Sequence, residues 1–169
     1  MLARTLAVLS IVLLTLLLPV IGTASTAETI IGKVVGVHDG DTLTLLDDSN
    51  RQKKVRLAEI DAPESHQPYG SRAKQELSEL AFGRSAAVQV QDIDRYGRTV
   101  GRITVDGVDV NAEMVRRGAA WVYRKYVKDQ SLFTIEQEAK DAKAGLWALP
   151  EADQMPPWEW RKMKKSRTK

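Results

Sequence analysis

What most limits the fold of this chain is a succession of short β-forming segments, each closed by turn residues, with helical periodicity only between and after them. Thr29–Val37 is rich in Ile and Val, and its glycines at 32 and 36 suit a bent, coiled strand. Asp39-Gly40 turns the chain, and residues 42–46 read as a second strand. Residues 53–60 read as a third, with Val55 and Leu57 on one face and Arg56 and Ala58 on the other. Pro63 and Pro68 then break the pattern. Ala73, Leu77, Leu80 and Ala81 recur at helical spacing over residues 71–82, and Gly83 follows as a stop. Residues 86–93 and 100–105 read as two more strands joined by a tight connection at 94–99. A short helix follows, capped by Asp109 or Asn111, with Met114 and Val115 apolar and Gly118 as its stop. A last helix over 131–144 buries Leu132, Ile135, Ala139 and Ala142, and Gly145 ends it. Five short strands interleaved with three helices predict an α+β fold: a five-stranded Greek-key barrel of the OB type with three α-helices outside. Pro150, Pro156 and Pro157 predict a non-helical remainder up to a basic end carrying Trp158 and Trp160.

At 169 residues the chain suits one domain with a true core. Arg4 followed by the apolar run at 6–21 and the small residues at 22–27 reads as an export signal, cleaved after Ala24 or Ala27. A membrane anchor is the alternative, although a run of 16 residues containing Pro19 is short beside the ~20 that a span requires. The expected division is a signal at 1–27, an OB-type domain at 28–150 and a Pro/Trp-containing basic extension at 151–169. With no cysteine, disulfides, thiol nucleophiles and thiolate metal sites are excluded. Charge is divided unevenly. One base lies in 1–27 and six lie in 161–169, which leaves 18 bases against 22 acids over 28–160, a balance of −4. A polyanion at such a body needs local arginines or a metal to hold it. The basic end either adds attraction for phosphates or is a solvated tail.

Three segments carry candidate chemistry, and each alone is compatible with an ordinary polar turn: His38-Asp39-Gly40-Asp41-Thr42, residues 56–64, and Asp94-Arg95-Tyr96-Gly97-Arg98. Together they supply Asp41, Asp61 and Glu64 at strand ends, hard oxygen donors that suit Ca²⁺ or Mg²⁺ and not zinc or copper. They also supply Arg56 and Arg98, whose paired N–H donors match phosphate geometry. Phosphodiester cleavage needs a metal on the non-bridging oxygens, a base for water, and cations against the developing charge, and this set contains all three. His38 and His66 read as surface residues, Trp121 and Trp147 as core, and Glu59 is left without a role.

In order, these segments continue through Val110-Asn111, Val115-Arg116-Arg117-Gly118 and Gly145-Leu146-Trp147, and the whole from about residue 31 to 147 resembles the thermonuclease family, the staphylococcal or micrococcal nuclease type. The resemblance implies a five-stranded barrel with three helices and one Ca²⁺ held by Asp41, Asp61 and the Ala62 carbonyl. It implies that Arg56 and Arg98 bind the phosphate and that Glu64 positions or deprotonates the attacking water. It also implies cleavage of the 5′ P–O bond, leaving 3′-phosphate ends on DNA, RNA or both. Tyr96, and more loosely Tyr123 and Tyr126, match the family's tyrosines beside the nucleotide. Ala62 departs from the threonine of the family's best-known member, at little cost if only the carbonyl binds metal. The segment between Glu64 and the first helix is short, which alters the expected contacts to flanking nucleotides.

Two other readings stand beside this one. A non-catalytic OB-type module for nucleic acid has no need of Asp41, Asp61 and Glu64. An exported calcium-binding structural domain leaves Arg56 and Arg98 without a purpose. The sequence implies an exported, periplasmic or secreted monomer, no protein partner, and a membrane association only if the signal is uncleaved.

Overall fold

The strand-forming segments close on themselves. A computed structural model describes residues 28–167, so the expected signal at 1–27 lies outside the described residues. Strands β1 (Thr29–Val37), β2 (Thr42–Asp47) and β3 (Gln52–Leu57) form an antiparallel meander. On its other side β1 pairs antiparallel with β5 (Ser85–Ile93), which pairs with β6 (Thr99–Val105). The barrel closes where β3 runs parallel to β6, from Val55 opposite Thr99 to Leu57 opposite Gly101. Closure gives each of these five strands two neighbours and so removes the exposed edges of an open sheet. Register shifts at Val34/Gly36 and Val90/Asp92 curl the long strands into the barrel. Val34, Leu43, Leu45, Val55, Leu57, Val88 and Ile103 fill its interior.

The expected third strand over 53–60 is interrupted. β3 ends at Leu57, Glu59 takes a left-handed φ of 68°, and β4 (Ile60–Asp61) pairs with β8 (Trp121–Val122) instead of with the barrel. The turn matters because it points Asp61 into the site described below.

Helix α1 (Gly70–Ala81) contacts β1 and α2 (Val110–Arg116), and α2 in turn contacts α3 (Ser131–Asp141) and β6. The short β7 (Val108–Asp109) leads into α2, and Asp109 is the cap, accepting from the Ala112 N–H. Asn111 is buried instead, accepting from the Ile103 N–H and donating to the carbonyls of Ala58 and Gly101, which ties α2 to the barrel. α3 ends at Asp141, earlier than expected, and Ala142 is exposed. Glu136 takes a place in the buried stripe because the Val122 N–H and the Lys140 ammonium satisfy its carboxylate.

The prediction of three helices and a non-helical remainder is corrected by a fourth, α4 (Pro157–Arg167). Pro157 stands at its first position, where a missing N–H costs nothing, and Glu159 in the first turn favours the positive end of the helix dipole. The Pro156 carbonyl accepts from the N–H groups of Glu159 and Trp160. None of the helices among the described residues is long and apolar enough to cross a membrane.

Candidate active site

All nine residues proposed from sequence for the site border one cleft of about 810 Å³: Asp41, Arg56, Asp61, Ala62, Glu64, Tyr96, Arg98, Tyr123, Tyr126. They come from four places in the fold: the β1–β2 turn, the stretch from β3 through β4 into the segment before α1, the β5–β6 turn and the loop after β8.

The β1–β2 turn delivers Asp41. Its glycine serves space rather than handedness, since a Cβ on Gly40 would lie 2.6 Å from the Ala62 Cβ and 2.7 Å from the Ala73 Cβ. The Asp41 N–H donates to the Asp39 Oδ1, and the Asp41 carboxylate accepts from the Thr42 hydroxyl and the Ala62 N–H. Asp41 is thereby fixed against the segment that carries Asp61.

Arg56, on β3, joins the two acids. Its Nη2 donates to the Asp41 Oδ2 at 3.1 Å and the Asp61 Oδ1 at 2.8 Å, and its Nη1 donates to the Leu57 and Ile60 carbonyls. Burial disfavours the guanidinium charge, but the Asp41 and Asp61 carboxylates outweigh it and hold the Arg56 pKa above its ordinary value. The acids are less content. Burial, with a further contribution from Asp41, pushes Asp61 up to about 6 even though Arg161 and Arg56 pull it down. Asp39 is likewise pushed up to about 6, by burial and then by the neighbouring Asp41 charge.

The β5–β6 turn holds Arg98. Gly97 takes φ 75°, which an L side chain adopts at a cost, and this lets Asp94 Oδ1 accept from the N–H groups of Tyr96 and Arg98. Asp94 Oδ2 accepts from the Arg98 Nε at 2.7 Å, while the terminal nitrogens of Arg98 hydrogen-bond to nothing among the described residues. Burial raises the Asp94 pKa, but the backbone and side chain of Arg98 outweigh it and hold the carboxyl below its usual range. Tyr96 is 68% exposed, with the Arg98 guanidinium 5.6 Å from its ring centre.

Tyr123 and Tyr126 meet edge to face at 4.8 Å. The Tyr123 ring is stacked on Trp158 of α4, with centroids 5.4 Å apart and planes 3° from parallel. The protein itself thus covers one face of Tyr123, whereas the more exposed Tyr96 is met by the Arg95 guanidinium 4.8 Å from its ring centre.

Three residues of the site were missed. Asp39, read as turn material, lines the cleft with Asp41, Asp61 and Glu64. Arg161 was read as part of a basic tail, yet its Nη2 donates to the Asp61 Oδ2 at 2.7 Å and its Nη1 to the Glu64 Oε1 at 2.7 Å. Pro157 at a helix start beside two tryptophans was the signal that could have found it. Glu59, left without a role, is buried beneath the cleft and accepts from Gln91 Nε2 and from the N–H groups of Lys128 and Asp129. It fixes the loop that follows Tyr123, whose own N–H donates to the Glu59 carbonyl.

Asp41 and Asp61 converge on a single Arg56 nitrogen, and the acids here outnumber Arg56 and Arg161. No three acidic or histidine side chains among the described residues form an all-protein cage. The donor set therefore fits a hard divalent cation bound by two carboxylates, with its remaining positions left to water or substrate oxygens.

Residues 54–149 match the family described as staphylococcal nuclease homologue. The chain is 43% identical over 149 residues to a micrococcal nuclease of Shigella flexneri, covering 81% of this chain and 83% of that protein. It is 44% identical over 134 residues to an uncharacterized endonuclease of Escherichia coli O157:H7, covering 79% and 86%. A probable staphylococcal-like nuclease of Oryza sativa is 43% identical over 118 residues, 70% of this chain but 35% of that longer protein. With its closed barrel, its ordered motifs and these relatives, the chain belongs to the staphylococcal nuclease family.

Proposed function

We propose that this nuclease hydrolyses DNA, and RNA where the cleft admits it, in a Ca²⁺-dependent reaction that leaves 3′-phosphate ends. The observation that carries the reading is the meeting of Asp41, Asp61, Arg56 and Glu64 at one end of a cleft that Arg98 and Tyr96 also border. Asp41, Asp61 and the Ala62 carbonyl are the groups that would hold the cation. When bound, the ion supplies Lewis-acid stabilisation of the phosphate oxygens. Arg56 is fixed by two acids and two carbonyls, so it presents its charge without reorganising during the reaction. Arg98 is anchored through Nε and keeps terminal donors for a non-bridging oxygen. Glu64 is half-exposed at the mouth and accepts the proton of the attacking water, or orients that water. Tyr96 offers a ring to a base.

The apolar run at 6–21 and the small residues after it support export to the periplasm or beyond, with the protein acting as a monomer.

Arg56→Ala, Arg98→Ala and Glu64→Ala, each checked for folding by circular dichroism, are expected to lose turnover by roughly 10²–10⁴-fold. Product ends are read by their acceptance of phosphate from a polynucleotide kinase. Near-normal turnover in any one variant removes that residue from its role, and 5′-phosphate products contradict the assigned bond.

A further inference from the structure

A second, smaller cleft lies beside the first. It has a volume of about 200 Å³ and is lined by Glu64, Ser65, His66, Trp160, Arg161 and Lys164. Glu64 and Arg161 border both clefts, so the two adjoin at the ion pair that includes the residue assigned to the attacking water. Apart from Glu64, each charged residue of its wall is a base.

Helix α4 brings those bases. Its sequence PWEWRKMKKSR holds Arg161, Lys162, Lys164, Lys165 and Arg167 against the single acid Glu159, while residues 28–160 carry 22 acids and 18 bases. A polyanion approaching this protein meets an attractive field at α4 before it meets one at the barrel. Trp160 and Lys164 are one helical turn apart and share a face, and Arg161, a turn before Lys164, lines the same cleft. An aromatic ring next to cations is the combination by which proteins hold single-stranded nucleic acid, stacking on a base and pairing with its phosphate.

The helix is also anchored. Pro157 is buried, Trp158 stacks on Tyr123 and meets Trp121 edge to face, and the Gln67 side-chain amide donates to the Met155 carbonyl. A mobile tail has no such fixed place relative to the cleft.

We propose that Trp160, Arg161 and Lys164 of α4, with His66, form a subsite for the nucleotide next to the scissile phosphate on a single strand. Arg161 pairs with Asp61 and Glu64 when no substrate is present and shares its donors with that nucleotide's phosphate when the strand enters. The inference rests on the nuclease reading of the main cleft and extends it along the strand.

Its test is direct binding, which needs no turnover. A fluorescently labelled single-stranded oligodeoxynucleotide is titrated with the full protein in a chelator, and the change in anisotropy is followed at several salt concentrations. Lys164→Glu is expected to weaken binding about tenfold and to lower the salt slope by about 0.7, the contribution of one phosphate contact on a single strand. Trp160→Ala is expected to weaken binding roughly 5- to 10-fold with the slope unchanged, and Trp160→Phe to restore most of the loss. Wild-type affinity and slope in both Lys164→Glu and Trp160→Ala would overturn the subsite. So would tighter binding by Arg161→Gln, which would make α4 a plug. A protein that binds through α4 yet cuts no nucleic acid with any divalent cation would sink the proposed function and leave the subsite standing.

Discussion

Glu59 and Asp61 sit two positions apart, are 4% and 1% exposed, and are held in opposite ways. Burial raises the Glu59 pKa, but the N–H groups of Asp129 and Lys128, the Gln91 amide and Arg102 outweigh it, and the carboxyl ends below its usual value. Asp61 has two arginines and is still pushed up to about 6, chiefly by burial, with Asp41 adding to it. Both are buried acids of one short stretch, Glu59 in the turn after β3 and Asp61 on β4, so burial alone does not decide what a carboxylate does. Each accepts three hydrogen bonds, and the kind of donor differs: two backbone N–H groups and a side-chain amide for Glu59, the side chains of Arg56 and Arg161 for Asp61. Glu59 is satisfied by the fold and organises the loop after Tyr123, whereas Asp61 is held by two arginine side chains and faces another acid across Arg56, the pair of carboxylates proposed above to hold the cation.

Asp61→Asn tests this difference with the largest expected effect. It removes a proposed cation ligand, so turnover should fall by roughly 10³-fold, the scale of several kcal/mol of charge stabilisation in the transition state. The fold should survive. Glu59→Gln is the counterpart, expected to cost about 2–3 kcal/mol of stability because its buried partners lose a charged acceptor. Calcium binding by calorimetry should change little in that variant. Chemical denaturation and calorimetry on the pair read both effects, and a Glu59→Gln protein that is fully stable but cannot bind Ca²⁺ would reverse the assignment.

A smaller effect lies in the pH dependence of the cation-free protein. The folded pKa of Asp61 and of Asp39 is raised to about 6 from 3.8, so their contribution is fully present below pH ~4 and is lost as pH rises through ~6. Glu59 acts in the other direction: its stabilisation is present above its ordinary value of 4.5 and is lost as pH falls through the lowered folded value. Denaturant midpoints from pH 4 to 7 should decline through this window, less steeply in Asp61→Asn and less steeply with Ca²⁺ added. A wild-type profile that rises over the same range would break the comparison.

Much of this was legible in the chain. The bounds of β1 follow from its Ile and Val content, and the nine site residues share one cleft because closing the barrel brings the ends of its strands together. Glu59 was not legible, because a glutamate at φ 68° is uncommon and nothing local demands it. It is required by donors from residues 128 and 129, far away in sequence. The break it makes in the expected third strand was hidden for the same reason. The fourth helix was missed because three prolines outweighed its other signals, although Pro157 is compatible with a first helical position and the ring of Trp158 finds a partner in Tyr123. Arg161 therefore reads from sequence only as part of a basic end, whereas it is paired with Asp61 and Glu64.

The most direct test is digestion of denatured DNA by the wild-type protein, Glu64→Ala and Glu59→Gln, each with Ca²⁺ and with a calcium chelator. The account predicts cutting by wild type and by folded Glu59→Gln with Ca²⁺ only, and cutting slower by roughly 10²-fold or more in Glu64→Ala. Equal cutting in the chelator, or by Glu64→Ala, would contradict it.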